Sequence, residues 1–206
     1  MPATQDAVPR FTIRSLELFE RDVRLRLPFR FGVLTLTESP QAFLRARIRL
    51  DNGPLSGRES YGAAAELLVP KWFDKNLALS NEDNFNQLRR SLAIARSAYL
   101  AGGSHTAFGH FSAHYRAQID ACAKQELNSL VACYGPALVD RALLDALCRA
   151  LDISFYAAVR ANLPGVEAAL TGDLAGFDFA AFLGSLEPAE SIAARHTVGL
   201  VDPITS

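Results

Sequence analysis

Residues 42–50 constrain the fold more than any other stretch of the chain. Leu44, Ala46, Ile48 and Leu50 alternate with Arg45, Arg47 and Arg49. Successive side chains on a strand point to opposite faces, so this segment must bury one face and leave the other in water. Such a strand belongs to an antiparallel sheet covered on one side only. Asp51-Asn52-Gly53 follows at once. Asn-Gly supports the positive φ angles of a hairpin turn, which Pro54 can enlarge. The chain returns through 57–66. Upstream, 11–27 also alternates, but its phase changes. Leu16 and Leu18 share one face, whereas Val23, Leu25 and Leu27 share the other, with Arg24 and Arg26 between them. An even-to-odd switch needs an extra residue, which places a bulge near 20–22. Residues 28–40 lose the alternation and read as a long connection. The three segments predict a three-stranded antiparallel meander.

From residue 81 the period becomes helical. Leu88, Leu92, Ala95 and Tyr99 recur every three to four positions behind an N-cap at Asn81. Gly102-Gly103 ends that helix and Ser104 caps the next, over about 105–127. Asn128 or Ser129 starts a third segment, which Gly135-Pro136 punctuates, proline being acceptable at the first position of a new helix. Over 137–151, Val139, Leu143 and Leu147 lie on one side. Arg141, Asp145 and Arg149 lie on the other, at a spacing that favours mutual pairing. A short helix near 153–161 and a break at 162–165 follow. Residues 166–190 are mixed, and 195–201 read as one more strand, apolar without alternation, with no partner in the chain. Residues 166–201 should therefore be poorly ordered or packed against another molecule.

The 206 residues carry a net charge of −1, with 50% hydrophobic and 21% charged residues. This is an ordinary globular balance with no long-range pull toward nucleic acid or an acidic membrane. The first ten residues lack the apolar segment of a secretory signal, and no run reaches the ~20 apolar residues of a membrane span. The three cysteines, Cys122, Cys133 and Cys148, form no Cys-x-x-Cys pair and read as free thiols of a reducing, cytoplasmic compartment.

The order of these features resembles a known family. It comprises an opening strand, the loop Pro28-Phe-Arg-Phe-Gly32, a second strand to Asp51-Asn52-Gly53 and a Gly/Ala/Glu-rich segment. A helical stretch with Ala142-Leu-Leu-Asp-Ala-Leu147 and the strand Thr197-Val-Gly199 complete it. Over about 11–75 and 137–201 the chain looks like the N-terminal part of the enolase superfamily, in its mandelate racemase and muconate-lactonising branch. The resemblance implies an α+β fold, a three-stranded meander followed by a helical bundle, with an incomplete α/β barrel start. It divides the chain into a capping domain, 1–135, and a helical linker with the first barrel strand, 136–206. Proteins of this kind are racemases, cycloisomerases or dehydratases, isomerases and lyases that abstract a proton next to a carboxylate and hold the enolate on Mg²⁺. Their base and metal ligands lie on later barrel strands. A complete barrel needs about 250 residues, and the sequence reaches only the first such strand. No catalytic residue and no metal ligand can therefore be carried over to this chain. It reads as a truncated capping portion, non-catalytic alone, partnered by the missing barrel half or another copy. The alternative is a stand-alone, non-catalytic α+β binding or assembly protein.

The resemblance makes the segments after the first strand (28–38) and after the hairpin (60–75) the substrate-facing ones. It implies Arg30, Phe31, Thr35, Glu66, Lys71 and Trp72 as substrate-binding residues for a small carboxylate. Read from the residues alone, two pictures stand for 61–75. Glu66, Lys71 and Trp72 could close over an anion, or Trp72 and Phe73 could plug the chain's own core while the lysines stay solvated. Arg30 could fork onto a carboxylate or pair with an acid of the facing loop. The strip Arg45, Arg47, Arg49 invites a nucleic acid, yet Glu17 and Glu59 can answer it, and no interleaved aromatics provide stacking platforms. His110 and His114, four apart with His105 nearby, have the spacing of a zinc pair but lack the glutamate of His-Glu-x-x-His. They read as surface or interface histidines. His196 reads as a structural hydrogen-bonding residue.

Overall fold

The computed structural model describes residues 8–32, 34–168 and 170–195. Its sheet has three antiparallel strands in the order β1 (Phe11–Phe31), β2 (Leu34–Leu50) and β3 (Glu59–Leu67). Helices α1 (Asn81–Ala101), α2 (Ala107–Ala123) and α3 (Ser129–Leu151) follow, then the short α4 (Phe155–Arg160), a 3₁₀ turn (Gly172–Leu174) and α5 (Phe179–Gly184). The class is α+β. The β2 alternation sets the layering: Leu44, Ala46, Ile48 and Leu50 are buried together with Leu88, Leu92, Leu138, Leu143 and Leu147 of the helices.

Residues 28–40 are not a loop. They are the two arms of a hairpin, since β1 runs on to Phe31 and β2 starts at Leu34. The bulge also lies elsewhere than 20–22. Pairing is regular from Ser15 to Arg24 and shifts between Ile13 and Ser15 and between Arg24 and Phe29. Arg24 faces Glu38 and Phe29 faces Leu36, so five steps along β1 match two along β2 and three residues are surplus. The turn after β2 is wide, closed by Gly57 N donating to the Leu50 carbonyl at 2.7 Å and Leu50 N donating to Arg58 at 2.9 Å. Residues 61–66 belong to β3 rather than to a covering loop. Their small side chains let α3 lie against the strand, and Asp145 accepts from the edge amide of Ala63 at 2.9 Å.

The helix caps sit at Ser80, Thr106 and Asn128, the first two displaced from the Asn81 and Ser104 predicted by sequence. Ser80 and Asp83 form a reciprocal capping box. The break predicted at Gly135-Pro136 does not exist, and the division between 1–135 and 136–206 falls inside α3. Proline at 136 removes the N–H that would bond the Ala132 carbonyl. Ser91 Oγ of α1 donates to that carbonyl at 3.0 Å and Gln118 Nε2 of α2 at 3.1 Å, so the helix continues. Gly135 lets the α1 backbone come close: a methyl there would stand 2.9 Å from Leu92 Cα and nearer still to the Ser91 carbonyl. Replacing Gln118 by leucine is expected to cost about 0.5–1.5 kcal/mol, the net worth of one hydrogen bond, because Ser91 Oγ still bonds the Ala132 carbonyl. Pro136→Ala in that background should recover part of the loss by restoring the local N–H. Urea unfolding of the single and double variants measures this coupling.

Residues 171–195 are almost wholly exposed, with Ile192 at 94%. α5 touches the rest through α4: Tyr156 Oη donates to the Leu186 carbonyl at 3.1 Å and Arg160 to Gly184 at 3.1 Å. The strand predicted at 195–201, with His196, lies outside the described residues apart from Arg195.

Candidate functional site

The surplus in β1 and the segment after β3 meet at one end of the sheet. Between them lies a groove of about 690 Å³ lined by Leu25, Arg26, Leu27, Phe29, Phe31 and Leu36 on the hairpin side. Glu66, Leu67, Val69, Trp72 and Phe73 line the other side. Phe31 and Trp72 meet edge to face with ring centres 5.7 Å apart, and Phe29 lies 5.7 Å from Phe31. Trp72 is 59% exposed, so it walls the groove instead of filling the core. Phe73 lines the groove and also packs inward, edge to face on Tyr134 at 5.3 Å. The two readings of this segment thus divide between adjacent rings.

Of the residues singled out from sequence, Phe31, Glu66 and Trp72 come together here. Glu66 Oε2 accepts from Arg141 of α3 at 3.0 Å, so its charge is already answered. Lys71 does not line the groove. It sits at φ 59, its amide donates to Asn84 Oδ1 at 3.1 Å, and its ammonium donates to the carbonyls of Leu79 and, at 3.0 Å, Asn76. Asn84 continues through Gln87 to Asp74, a polar chain that ties residues 71–80 to α1. Arg30 and Thr35 face each other across the hairpin, are exposed, and are absent from the groove lining. Sequence reasoning missed Leu25, Arg26, Leu27, Phe29, Leu36, Leu67, Val69 and Phe73 as groove residues. Regular alternation puts Arg26 opposite Leu25 and Leu27, whereas the surplus brings all three to one groove.

The basic strip is answered as expected: Arg45 pairs with Glu17 and Arg47 with Glu59. Aromatic residues do interleave with it, however, because neighbouring strands supply them. Arg45 lies near Phe19 of β1 and Tyr61 of β3, and Arg47 lies near Tyr61.

His110 is fully buried, a correction to its surface reading. Its Nε2 faces the Phe11 carbonyl at 3.0 Å, and its ring packs on Phe11 at 4.8 Å. Burial pushes its pKa down to about 4 and holds His114 below the ordinary histidine range. Among the described residues no group of three His, Cys, Asp or Glu side chains could hold a metal ion, and Cys122, Cys133 and Cys148 are free. Asp140 of α3 accepts from Tyr99 Oη at 3.0 Å, and burial raises its pKa to about 7. No helix among the described residues is long and apolar enough to cross a membrane.

No family model and no curated protein matches the chain. Solved structures do show similarity. One is a mandelate racemase/muconate lactonizing enzyme-like protein from Rubrobacter xylanophilus, 14% identical, matched over 72% of this chain and 33% of that one with a TM-score of 0.38. Another is a putative mandelate racemase/muconate lactonizing enzyme from Sorangium cellulosum, 20% identical over 71% and 34%, with a TM-score of 0.34. The chain spans about a third of the length of each.

Proposed function

We propose that the chain is the substrate-enclosing cap of an enolase-superfamily-like enzyme acting on a carboxylate. One observation supports this reading: the two segments singled out by the sequence resemblance converge on one groove, with Phe31 against Trp72. A cap contributes by excluding water and shaping the pocket, which strengthens every polar interaction beneath it. Phe31 and Trp72 shed water over the substrate, the Arg141–Glu66 pair fixes the far wall, and Lys71 stiffens the segment bearing Trp72. Arg30 and Thr35 can meet a substrate only from outside the groove.

Mg²⁺ would serve such an enzyme in α-proton abstraction. The described residues offer no ligand cluster for it, so they do not fit the ion and no step is assigned to them through it. The reaction centre would come from a barrel-bearing polypeptide.

Mixing the chain with a barrel fragment of a mandelate racemase-like protein tests this. Exchange of a carboxylate's α-proton into deuterated water, followed by NMR with Mg²⁺ present, should require both components. Trp72→Ala should slow it about tenfold or more, equivalent to at least about 1.4 kcal/mol of barrier. Absence of exchange with every acid tried would leave the chain a stand-alone α+β binding protein.

A further inference from the structure

The sheet buries one face under the helices and leaves the other bare. Residues paired across strands share a face, so the register puts Phe19 beside Phe43 on the bare side, with Arg45 between Glu17 and Ala63. Phe19 and Tyr61 remain 53% and 51% exposed there. Beyond Tyr61 this face of β3 carries only Ala63 and Ala65, so the rings of Tyr61 and Phe43 flank a shallow hollow. Glu17 and Glu59 answer Arg45 and Arg47, but among the described residues Arg21 has no acid partner. Its guanidinium lies 5.2 Å over the Phe43 ring and donates to the neutral Gln41 side chain at 3.0 Å. A segment of opposite character is bare elsewhere. Residues 161–194 carry Glu167, Asp173, Asp178, Glu187 and Glu190 without one lysine or arginine, whereas 8–67 hold ten arginines against seven acids. Phe177 stands 4.9 Å from Phe179 and 5.5 Å from Phe182, a three-ring cluster in which Phe177 and Phe182 are half exposed. Tyr156 and Arg160 hold α5 against α4 of its own chain, and that packing leaves the rings open to solvent. Among the described residues neither surface is covered within one copy. Each supplies what the other lacks, rings with carboxylates against rings with a guanidinium.

We propose that the ring cluster of 177–182, with its flanking acids, docks on the open sheet face of a second copy of this chain. The rings enter the hollow beside Ala63 and Ala65, and an acid of the segment meets Arg21. Two different surfaces make the contact, so it propagates head to tail unless a ring of copies closes. Half-exposed rings offer roughly 100 Å² each, which puts the contact in the weak class below about 1,200 Å². A nucleic acid fits the face less well, because two of its arginines are already answered by glutamates. The inference goes beyond the cap reading, since none of these side chains lines the groove.

Sedimentation velocity of the full chain from about 10 to about 500 µM, the range of a weak contact, tests this. The weight-average sedimentation coefficient should rise with concentration at about 50 mM salt and rise less at about 500 mM, where charges are screened. Two double variants, Phe19→Ser with Arg21→Gln and Phe177→Ser with Phe182→Ser, each disable one surface at exposed positions. Each alone should stay monomeric across the range. An equimolar mixture should recover association and stop at the dimer, because each partner keeps one working surface. Tyr61→Ser repeats the test of the face from another strand. An unmodified chain that is monomeric at the highest concentration would overturn the proposal. So would either double variant associating like the unmodified chain, or a mixture no better than its components while circular dichroism shows both folded. A labelled oligothymidylate bound at about 150 mM salt and released by the face substitutions would assign the face to single strands and overturn it too. Self-association without α-proton exchange in the barrel mixture would sink the cap and spare this inference. Exchange from a chain that stays monomeric alone would do the opposite.

Discussion

Gly62→Ala should lower folding stability by about 3 kcal/mol or more, at the upper end for overpacking because backbone, rather than a movable side chain, is in the way. A methyl at Gly62 would stand 2.8 Å from Ala146 Cα and closer still to Ala146 N and the Ala142 carbonyl. Ala142, Ala146 and Ala150 are all fully buried, so α3 presents its smallest residues to the strand and has no rotamer through which to yield. Relief requires β3 and α3 to separate. That separation reaches the groove, since Glu66 on β3 pairs with Arg141 on α3 and lines the groove wall. Urea unfolding should therefore show a lower midpoint. Gly103→Ala is the control: nothing lies within 4 Å of a methyl there, and its φ is not in the left-handed region, so a change within about 0.5 kcal/mol is expected. A Gly62→Ala chain as stable as this control would mean that the strand and helix are not in backbone contact.

The same glycine shows where sequence reading stops. Gly62-Ala-Ala-Ala looks like a mobile cover because small residues suit flexible loops. They also suit crowded strands, and only the helix laid across them distinguishes the two cases. The alternation of β2 was legible because both of its faces have one meaning each, buried or wet. The alternation of 23–27 misled, because register belongs to a pair of strands: Leu25, Arg26 and Leu27 share a groove only because β2 offers too few residues opposite them. Gly135-Pro136 reads as a break until the Ala132 carbonyl is traced to Ser91 and Gln118, far away in sequence. The aromatics beside the arginine strip were likewise invisible within any one strand. For the groove, position in the chain marked Phe31, Glu66 and Trp72. Lys71 lies off the groove because its two carbonyl acceptors come from a local fold of 76–79 that no motif announces.

Replacing Asp140 by asparagine should produce a stability gain that grows with pH. In the folded chain burial raises the Asp140 pKa to about 7, the Tyr99 hydroxyl opposing this only in part. In the unfolded chain an aspartate titrates near about 3.9. Between these values the unfolded state has released its proton and the folded state retains it, so Asp140 makes stability fall as pH rises from about 4 to about 7. The upper bound on that loss is about 4 kcal/mol, each unit of difference being worth about 1.4 kcal/mol. His110 acts in the other direction. Its pKa is pushed down to about 4 in the folded chain, while an unfolded histidine titrates near about 6.5. The unfolded state therefore gains a proton first as pH falls, and stability drops from about pH 6.5 toward about 4. With one group binding the extra proton in each state, the two slopes oppose each other across that window. The unmodified chain should accordingly show a shallow profile there. Asp140→Asn removes one slope, keeps an acceptor for Tyr99, and should leave stability climbing with pH. Its advantage over the unmodified chain should be near its minimum at pH 4 and level off above about pH 7. His110→Phe retains a ring against Phe11 and should leave the falling slope of Asp140 alone. Thermal melts of the three chains at half-unit pH steps measure this. An Asp140→Asn gain that is constant from pH 4 to 8 would show that the carboxylate is not held protonated between α1 and α3.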